Sequence, residues 1–160
     1  MPEHLIPPVF DENSKLLILG SFPSVKSREI NFFYGNPQNR FWRVIADVLG
    51  CDLPDTTDKK RTMLLRHGIA LWDVIASCDI EGSDDSSITN VVANDLDRIL
   101  ETAKIERIFT NGGKADALYR RYCYPQTGIT AVKLPSTSPA NAQYSLERLV
   151  SLWSVIVKST

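Results

Sequence analysis

The sequence predicts an α/β protein: a three-layer α/β/α fold around a central, mostly parallel sheet of four strands. Alternation of strands with helices is typical of parallel sheets that carry helices on both faces. With 160 residues, of which 43% are hydrophobic and 23% charged, the chain is expected to form one soluble domain over 1–160. Four short apolar runs, separated by segments with helical spacing of apolar residues, carry this prediction: 16–19, 69–74, 105–109 and 130–134.

Each element follows from its local pattern. The run Leu16–Leu19 is apolar and ends at Gly20, as a short buried strand does. Apolar side chains then recur at helical spacing up to a stop at Gly50, which predicts a helix over 40–49. The stretch 79–87 is rich in Asp, Ser and Gly and is the most loop-like part of the chain. Further helices are predicted, in chain order, over 58–67, 92–103, 114–122 and 144–157.

Composition limits the classes of function. No run approaches the roughly 18 apolar residues of a membrane span, and the N-terminus has no basic segment followed by an apolar one. A cytoplasmic protein without a membrane partner is therefore expected. The cysteines Cys51, Cys78 and Cys123 are isolated, and the histidines His4 and His67 lie far apart. Metal sites need clustered ligands, so neither a metal nor another cofactor is expected, and the thiols are expected to be free and buried.

The charge pattern neither requires nor excludes a nucleic-acid partner. A formal net charge of −1 gives no overall attraction to a polyanion. An enzyme that acts on DNA needs one positively charged face, and its overall net charge can be close to zero. Local basic clusters, each more often a solvated surface than a phosphate contact, are Lys26 with Arg28, Arg40 with Arg43, 59–61 with Arg66, and 120–121.

The stretch 20–43 is the most informative part of the chain. It reads Gly-Ser-Phe-Pro-Ser-Val-Lys-Ser-Arg-Glu-Ile-Asn-Phe-Phe-Tyr-Gly-Asn-Pro-Gln-Asn-Arg-Phe-Trp-Arg. It leaves the first strand, where open parallel sheets bind ligands, and its three consecutive aromatics suit stacking on a flat ring. The stretch resembles the first motif of the uracil-DNA glycosylase superfamily. Its Asn-Pro-Gln-Asn-Arg-Phe-Trp run is similar to the mismatch-specific branch, and its Gly-Ser-Phe-Pro-Ser run is similar to the hypoxanthine-DNA glycosylase branch.

This resemblance, which extends from Leu16 to Trp153, implies a uracil-DNA glycosylase-like fold and a monomeric repair enzyme acting on DNA. Such an enzyme flips a damaged nucleotide out of the stack and hydrolyses its N-glycosidic bond, leaving an abasic site. Hypoxanthine from deoxyinosine is the implied base, and no lysine is placed for a Schiff base, which implies a monofunctional enzyme. Two alternatives stay open: a uracil- or mismatch-specific glycosylase, and a catalytically silent nucleic-acid- or nucleotide-binding module.

The first motif supplies the catalytic candidate. By resemblance, Asn39 of the Asn-Arg-Phe-Trp run would orient water or the departing base, although an Asn before an apolar helical run is also a favoured helix cap. Tyr34 and Phe22 are candidates for the ring that stacks on the extruded base, a contact worth about 1–3 kcal/mol, and Ser21 lies beside them in the base pocket. Many superfamily members have Asp or Asn in place of Phe22 to position water, which argues against uracil removal by the usual route.

Asp73 is the candidate for reading the base. It ends the strand run Ile69-Ala70-Leu71-Trp72-Asp73. By resemblance, uracil-DNA glycosylases carry at the matching strand end an Asn that hydrogen-bonds the base edge. A carboxylate there would accept a hydrogen bond from N1–H of hypoxanthine. The alternative is a strand-end Asp that caps the next turn.

The stretch 134–141, Leu-Pro-Ser-Thr-Ser-Pro-Ala-Asn, resembles the second superfamily motif. Leu134 replaces the His or Asn that often begins this motif and stabilises the departing base. The small hydroxyl residues can bind phosphates and the tip can wedge into the duplex, although a plain turn explains the composition as well. Lys114 follows Asn111-Gly112-Gly113, a weak phosphate motif at a helix start. The expected DNA contacts are Ser24, Lys26, Arg28, Lys114, Ser136, Thr137, Ser138, Pro139, Ala140 and Asn141.

Overall fold

A parallel sheet forms the centre of the computed structural model, which describes residues 6–157. Over these residues the strands are β1 (Leu16–Gly20), β2 (Ile69–Asp73), β3 (Ile75–Asp79), β4 (Thr89–Ala93), β5 (Arg107–Asn111) and β6 (Ala131–Leu134). The helices are α1 (Val25–Ile30), α2 (Phe41–Leu49), α3 (Thr57–Arg66), α4 (Asp97–Leu100), α5 (Gly113–Tyr122), α6 (Tyr124–Thr127) and α7 (Leu146–Trp153). Short 3-10 turns occupy Asp85–Ser87 and Ser154–Val157.

Four strands form the parallel sheet in the order β2-β1-β5-β6. The register places Leu16 of β1 beside Ile69 of β2 and Arg107 of β5. In the central strand β1, the side chains of 17–19 have no exposed area. Successive strand residues point to opposite faces, so β1 is covered on both sides, as parallel strands usually are. The predicted mixed α/β class and the four-stranded parallel sheet are confirmed.

The carboxyl ends of the four parallel strands meet at one edge of the sheet. Gly20 of β1 lies beside Asp73 of β2, and Asn111 of β5 lies beside Leu134 of β6. The segments that follow these strands therefore start next to one another. In open parallel sheets this is the edge that binds ligands.

The helix predicted over 92–103 is wrong for most of its length. Its first residues belong to β4, which pairs antiparallel with β3 in a separate two-stranded sheet. Only α4 is helical in this region, and the loop expected over 79–87 connects the two strands of the hairpin. The β-branched Val91 and Val92 favour an extended chain, which explains the difference.

Asn94 fixes the hairpin to the end of β2. Its Nδ2 donates to the carbonyl oxygens of Asp73 (2.9 Å) and Ile75 (3.2 Å). Its backbone N–H also donates to the carbonyl oxygen of Val74 (2.7 Å). The base of the hairpin is therefore held at the same edge of the sheet as the loops.

Helix α1 lies inside the segment that the sequence predicts only as a loop. Ser24 caps it, because its Oγ accepts a hydrogen bond from the Ser27 backbone N–H (3.1 Å). Asn31 ends it in the left-handed conformation, with φ of 58°. Six residues are too few for a helical period to be recognised in the sequence.

The other helices lie close to their predicted positions. The predicted 40–49 helix is α2, and it ends at Gly50, whose φ of 69° supplies the left-handed C-cap. The helix predicted over 144–157 is shorter, because α7 ends at Trp153 and continues as a 3-10 turn. Among the helices of residues 6–157, none is long and apolar enough to cross a membrane.

The three cysteines are free, but only two of them are fully buried. Cys78 and Cys123 lie in the core, whereas Cys51 is half-buried, with its Sγ 4.0 Å from Nε2 of His67. Burial raises the pKa of the Cys123 thiol to about 11. That thiol is therefore protonated at neutral pH and a poor nucleophile.

Tyr119 links α5 to the segment that enters β6, and its removal gives a test of the fold. Its ring is fully buried, and its hydroxyl donates to the Ile129 carbonyl oxygen (2.5 Å) and contacts Thr127 Oγ1 (2.6 Å). Tyr119→Phe should lower the free energy of unfolding by about 1–3 kcal/mol, since the Ile129 carbonyl oxygen and the Thr127 hydroxyl both lose this hydrogen-bond partner. Urea unfolding measures this loss.

The matched control is Tyr122→Phe on the same helix. Tyr122 is half-buried, and no described residue hydrogen-bonds its hydroxyl. This variant should keep the parent stability. Equal unfolding midpoints for the two variants would show that the Tyr119 hydroxyl does not stabilise the fold.

Candidate active site

A cavity of about 290 Å³ opens at the carboxyl edge of the parallel sheet. Its volume is at the small end of the range for sites that bind a single small ligand, about 300–1,000 Å³. Most of the residues predicted for the site line it. They are Ser21, Phe22, Ser24, Tyr34, Asn39, Asp73, Ser136, Thr137, Ser138, Pro139 and Ala140. Gly20, Pro23, Ser27, Phe33, Asn36, Ser83 and Asn111 complete the lining.

Four predicted contacts lie outside this lining. Lys26 is exposed on α1, with its Nζ 3.8 Å from a carboxylate oxygen of Glu29. Lys114 is exposed on the first turn of α5, and Asn141 is half-buried in the loop after β6. Arg28 is half-buried beside the cavity wall. These four residues are placed around the cavity and not in it.

Asn39 precedes α2, and the orientation of its amide is fixed. Its Oδ1 accepts hydrogen bonds from the Phe41 backbone N–H (2.9 Å) and from Thr137 Oγ1 (2.8 Å). A backbone N–H can only donate, so the atom facing it must be the oxygen. No described residue accepts a hydrogen bond from Nδ2, and Asn39 lines the cavity. From the position before the N-cap residue Arg40, the side chain therefore bonds the first N–H of α2 with its oxygen, and its amide donors are left for a ligand.

Thr137 connects Asn39 to Asn111. The Thr137 side chain is fully buried, and its Oγ1 accepts from Asn111 Nδ2 (3.1 Å) while it donates to Asn39 Oδ1. The Thr137 backbone N–H also donates to Asn111 Oδ1 (3.0 Å). The sequence marked Asn111 only as part of a weak phosphate motif. Its place at the end of a parallel strand, like that of Asp73, was the signal for a site residue.

Arg40 holds the loop after β6 against the start of α2. Its backbone N–H donates to the Thr137 carbonyl oxygen (3.1 Å). Its guanidinium donates to the carbonyl oxygens of Ser138 (3.3 Å), Asn141 (3.1 Å) and Tyr144. The sequence did not assign Arg40 to the site. The arginine of the Asn-Arg-Phe-Trp run joins the first and second motifs.

Tyr34 carries its ring in a strained backbone conformation. Its φ is 52°, which is an outlier for a bulky side chain and is found mostly at functional sites. One face of the ring stacks on Phe41, with centroids 4.1 Å apart and planes at 19°. Its hydroxyl accepts from Asn111 Nδ2 (3.1 Å). These two contacts hold the ring at the cavity.

Asp73 places a buried carboxylate in the cavity, with 3% of the residue exposed. Gly20 on the neighbouring strand makes room for it. A Cβ at position 20 would lie 2.3 Å from Asp73 Oδ1 and 2.9 Å from the Tyr34 hydroxyl. Both polar atoms therefore approach the β1 backbone at one point, which only glycine permits.

Phe22 lines the cavity beneath Arg28. The guanidinium carbon lies 5.4 Å from the centre of the Phe22 ring, and Nη2 donates to the Gly82 carbonyl oxygen (2.8 Å) in the hairpin. Ser83 next to it accepts from the Val25 backbone N–H (3.0 Å) and lines the cavity. Arg28 therefore links α1 to the hairpin. The hairpin tip forms part of the cavity wall, and the sequence did not predict either contact.

The loop after β6 is partly organised by its own side chains. Ser136 Oγ accepts from the Ser138 backbone N–H (3.1 Å), and Ser138 Oγ accepts from the Ala140 backbone N–H (3.2 Å). Asn141 Nδ2 donates to the Ser136 carbonyl oxygen (3.0 Å). These bonds are those of a Ser/Thr/Pro turn, yet Pro139 and Ala140 remain exposed at its tip. The hydroxyls still have their O–H groups to donate.

The glycine at 112 has a packing role. Its φ is 98°, and a Cβ there would lie 3.0 Å from the Ser136 Cβ. Its backbone N–H donates to the Leu134 carbonyl oxygen (2.8 Å) and cannot also bind a phosphate. The weak phosphate motif before Lys114 is thus explained in part by tight packing of β5, β6 and α5.

Clusters of metal-ligand side chains are not found in residues 6–157, taking groups of three or more His, Cys, Asp or Glu. His4, one of the two histidines, lies outside these residues. The polar groups that converge on the cavity are the amides, hydroxyls and carboxylate described above. They suit hydrogen bonding to a flat heterocycle.

This chain is similar to known proteins in both sequence and structure. The uracil DNA glycosylase superfamily model matches residues 7–156. A hypoxanthine DNA glycosylase of Methanosarcina acetivorans is 39% identical over 157 residues, covering 95% of this chain and 96% of its own length. One of Methanosarcina barkeri is 33% identical over 159 residues, covering 99% of each chain.

The solution NMR structure of a candidate uracil DNA glycosylase from Methanosarcina acetivorans superposes with a TM-score of 0.79 at 34% identity, covering 96% of this chain and 97% of that one. Both the family match and the relatives extend over nearly the whole sequence. The chain belongs to the uracil DNA glycosylase superfamily.

Proposed function

We propose that this protein is a monofunctional DNA glycosylase that removes hypoxanthine from deoxyinosine. The observation that carries the proposal is the fixed amide of Asn39, whose Nδ2 donors are left for a ligand of a cavity that also holds the buried Asp73 carboxylate. The cavity has the size of a site for one small ligand, and a base must leave the stack before its glycosidic bond can be cleaved. The names of the two Methanosarcina relatives support the choice of base.

Base recognition follows from the donors and acceptors of the cavity. Hypoxanthine presents N1–H on its edge, and the Asp73 carboxylate accepts it. Tyr34 offers an aromatic ring whose other face is supported by Phe41. Phe22 offers a second ring on the cavity lining, and Ser21 lines the cavity as well. The extruded base stacks on Tyr34, Phe22 or both.

Bond cleavage needs stabilisation of the charge that develops on the purine. The bond between C1′ and N9 breaks, its electron pair leaves with the base, and a water oxygen bonds to C1′. The proton released by water is the one the departing base takes up. Asn39 Nδ2 donates a hydrogen bond to the departing ring, which is worth most in a site where the donor is already oriented. Asn39 could orient either the attacking water or the departing base. Its fixed amide donors favour the second role.

The cavity supplies no amine for covalent catalysis. No lysine is found among its described lining residues. A Schiff base with the sugar therefore has no donor at this site, and the product is an abasic site with the strand intact. The proposed partner is DNA. We also predict that the enzyme is a monomer, that it forms a single domain and that it lies in the cytoplasm.

Uracil is the second candidate base. The superfamily name and the relative of known structure favour it. Against it stands Phe22, whose apolar ring lies on the cavity where a water-positioning side chain would be needed. A base-release assay on duplexes that contain inosine, uracil or xanthine tests the proposal. Release of hypoxanthine above the other bases is expected, and no release from any duplex would leave only a binding module.

Asn39→Asp separates the cap from the chemistry. A carboxylate still accepts from the Phe41 N–H and the Thr137 hydroxyl, and Asp caps helices as well as Asn does, so the melting temperature should change little. The donor is lost, so single-turnover excision of hypoxanthine should fall by about 10²-fold or more.

Asn39→Ala is the second variant, because it removes the amide donor without adding the negative charge that Asn39→Asp introduces. Excision should fall by a similar factor, and stability should fall by about 0.5–2 kcal/mol because the cap is lost as well. Parent-like excision by a folded Asn39→Asp protein would reduce Asn39 to a helix cap.

Asp73→Asn should change base preference. An amide at this place offers a donor as well as an acceptor, which suits a uracil edge better than N1–H of hypoxanthine. The ratio of hypoxanthine to uracil excision should fall by about 10- to 100-fold, the size of one hydrogen bond to a charged group. The measurement is the ratio of single-turnover rates on the two duplexes.

The control is Asp116→Asn, which alters a second buried carboxylate. Asp116 binds Thr110 Oγ1 (2.9 Å) and Arg120 Nε (3.0 Å) and does not line the cavity. Its variant should lose stability and keep the ratio. An unchanged ratio in Asp73→Asn would show that Asp73 does not contact the base.

Binding to DNA should depend on salt despite the net charge of −1. Each phosphate neutralised adds about −0.9 to the slope of log affinity against log salt. Lys26→Gln and Lys114→Gln should each flatten the slope on an undamaged duplex, while Lys104→Gln, an exposed lysine ahead of β5 at the other edge of the sheet, should not. If the affinity of the parent protein for the duplex does not change with salt, the proposal that DNA is its partner is wrong.

A further inference from the structure

A groove of about 560 Å³ adjoins the base cavity between α2 and α3. We name it the α2–α3 groove. It is lined by the loop 35–38, by Arg40, Trp42 and Arg43 around the start of α2, and by Leu53, Pro54 and Lys60. Tyr34, Asn36 and Asn39 line both the groove and the cavity. A chain whose base occupies the cavity therefore has the groove as a direct continuation.

Two cations face this groove without a carboxylate partner among residues 6–157. Arg43 is exposed in the first turn of α2, where a cation is unfavourable for the helix dipole and where no acidic residue is present. Lys60 lies on α3 between two lysine or arginine neighbours that do have partners. Lys59 pairs with Asp55 (3.0 Å), and Arg61 pairs with Asp58 (3.7 Å).

Lys60 is held in place by Trp42. Its Nζ lies 5.3 Å from the centre of the indole ring. That ring is nearly buried and fixed, because Nε1 donates to the Phe33 carbonyl oxygen (3.1 Å). Burial lowers the pKa of Lys60 from its usual value. A partly desolvated ammonium on a rigid support gains more from an anion than a freely moving surface lysine does.

The remaining lining suits a sugar–phosphate chain better than a small free anion. Leu53 is 52% exposed, and Pro54 beside it is buried. Apolar surface of this kind packs against sugar rings, while the cations meet the phosphates. The groove volume of about 560 Å³ leaves room for more than one phosphate group.

We propose that the α2–α3 groove binds the backbone of the DNA strand next to the extruded nucleotide, with Arg43 and Lys60 contacting its phosphates. This rests on the proposed glycosylase function. The groove then determines the strand's direction across the cavity, with the Ser24 and Lys26 side of the cavity receiving the other flank. The sequence placed these cations in two separate clusters, and the packing of α2 beside α3 brings them together.

The test is the double variant Arg43→Gln/Lys60→Gln. Its control is Arg66→Gln/Lys104→Gln, which removes the same charges from exposed positions near the other edge of the sheet. Affinity for an undamaged duplex is measured by fluorescence anisotropy across a salt series. The groove variant should bind more weakly and flatten the slope of log affinity against log salt by about 0.9 for each lost phosphate. The control should match the parent.

Single-turnover excision at saturating inosine duplex distinguishes this proposal from the proposed function. At saturating DNA, the groove variant should excise hypoxanthine at a rate within about twofold of the parent rate. It should need a higher DNA concentration than the parent to reach that rate. Parent-like affinity and salt slope in the groove variant would overturn the groove proposal and leave the glycosylase proposal intact. If the parent protein releases no base, the proposed glycosylase activity is wrong. The binding measurements across the salt series would still test whether the groove contacts phosphates.

A neutral phosphate analogue locates the contact. Single methylphosphonate linkages are placed in turn on either side of the inosine. Neutralising the linkage that meets the groove should weaken binding by the parent and leave the groove variant unaffected, and all such linkages should lie on one side of the lesion. Additive losses at every linkage, with no coupling to the variant, would show that Arg43 and Lys60 contact no phosphate.

Discussion

The buried hydroxyl of Thr137 joins three distant parts of the chain into one site. It receives a hydrogen bond from Asn111 at the end of β5 and donates one to Asn39 before α2, while the Thr137 main chain bonds both Asn111 and Arg40. Buried polar networks are rigid when every member has a partner and costly when one is missing. The cavity therefore has its shape because this small network is satisfied.

The cavity separates its donors from its acceptors. Asn39 contributes an amide whose oxygen is already used, and Asp73 contributes a buried carboxylate that only accepts when ionised. A ring with an N–H on one edge and growing negative charge elsewhere matches this division. Since both groups are positioned before a ligand arrives, little reorganisation is needed during the reaction.

Local patterns in the sequence were enough for the sheet and for the edge that carries the site. Continuous apolar runs predicted the strands of the parallel sheet, and the strand-end rule placed Asp73 and the 20–43 loop together. The β3–β4 hairpin was missed, since it is irregular in register and leaves Val92 half exposed.

The partners of Asn111 lie 26 and 77 residues away, and those of Arg40 lie about 100 residues away. No local pattern names such a partner, so the roles of these two residues emerged only from the folded chain.

The hairpin gives the cavity walls of unequal stability. Its two strands form a separate sheet; Ile75 and Cys78 of β3 are buried in the core, whereas the tip over 81–84 is exposed. The tip is joined to α1 by the bonds of Arg28 with Gly82 and of Val25 with Ser83. Local opening of this exposed tip is expected to cost less free energy than unfolding the buried strand β1, so the amide hydrogens of the tip should exchange faster. The cavity wall formed by the hairpin tip is therefore expected to yield more readily than the part of the cavity that holds the Asn39 amide.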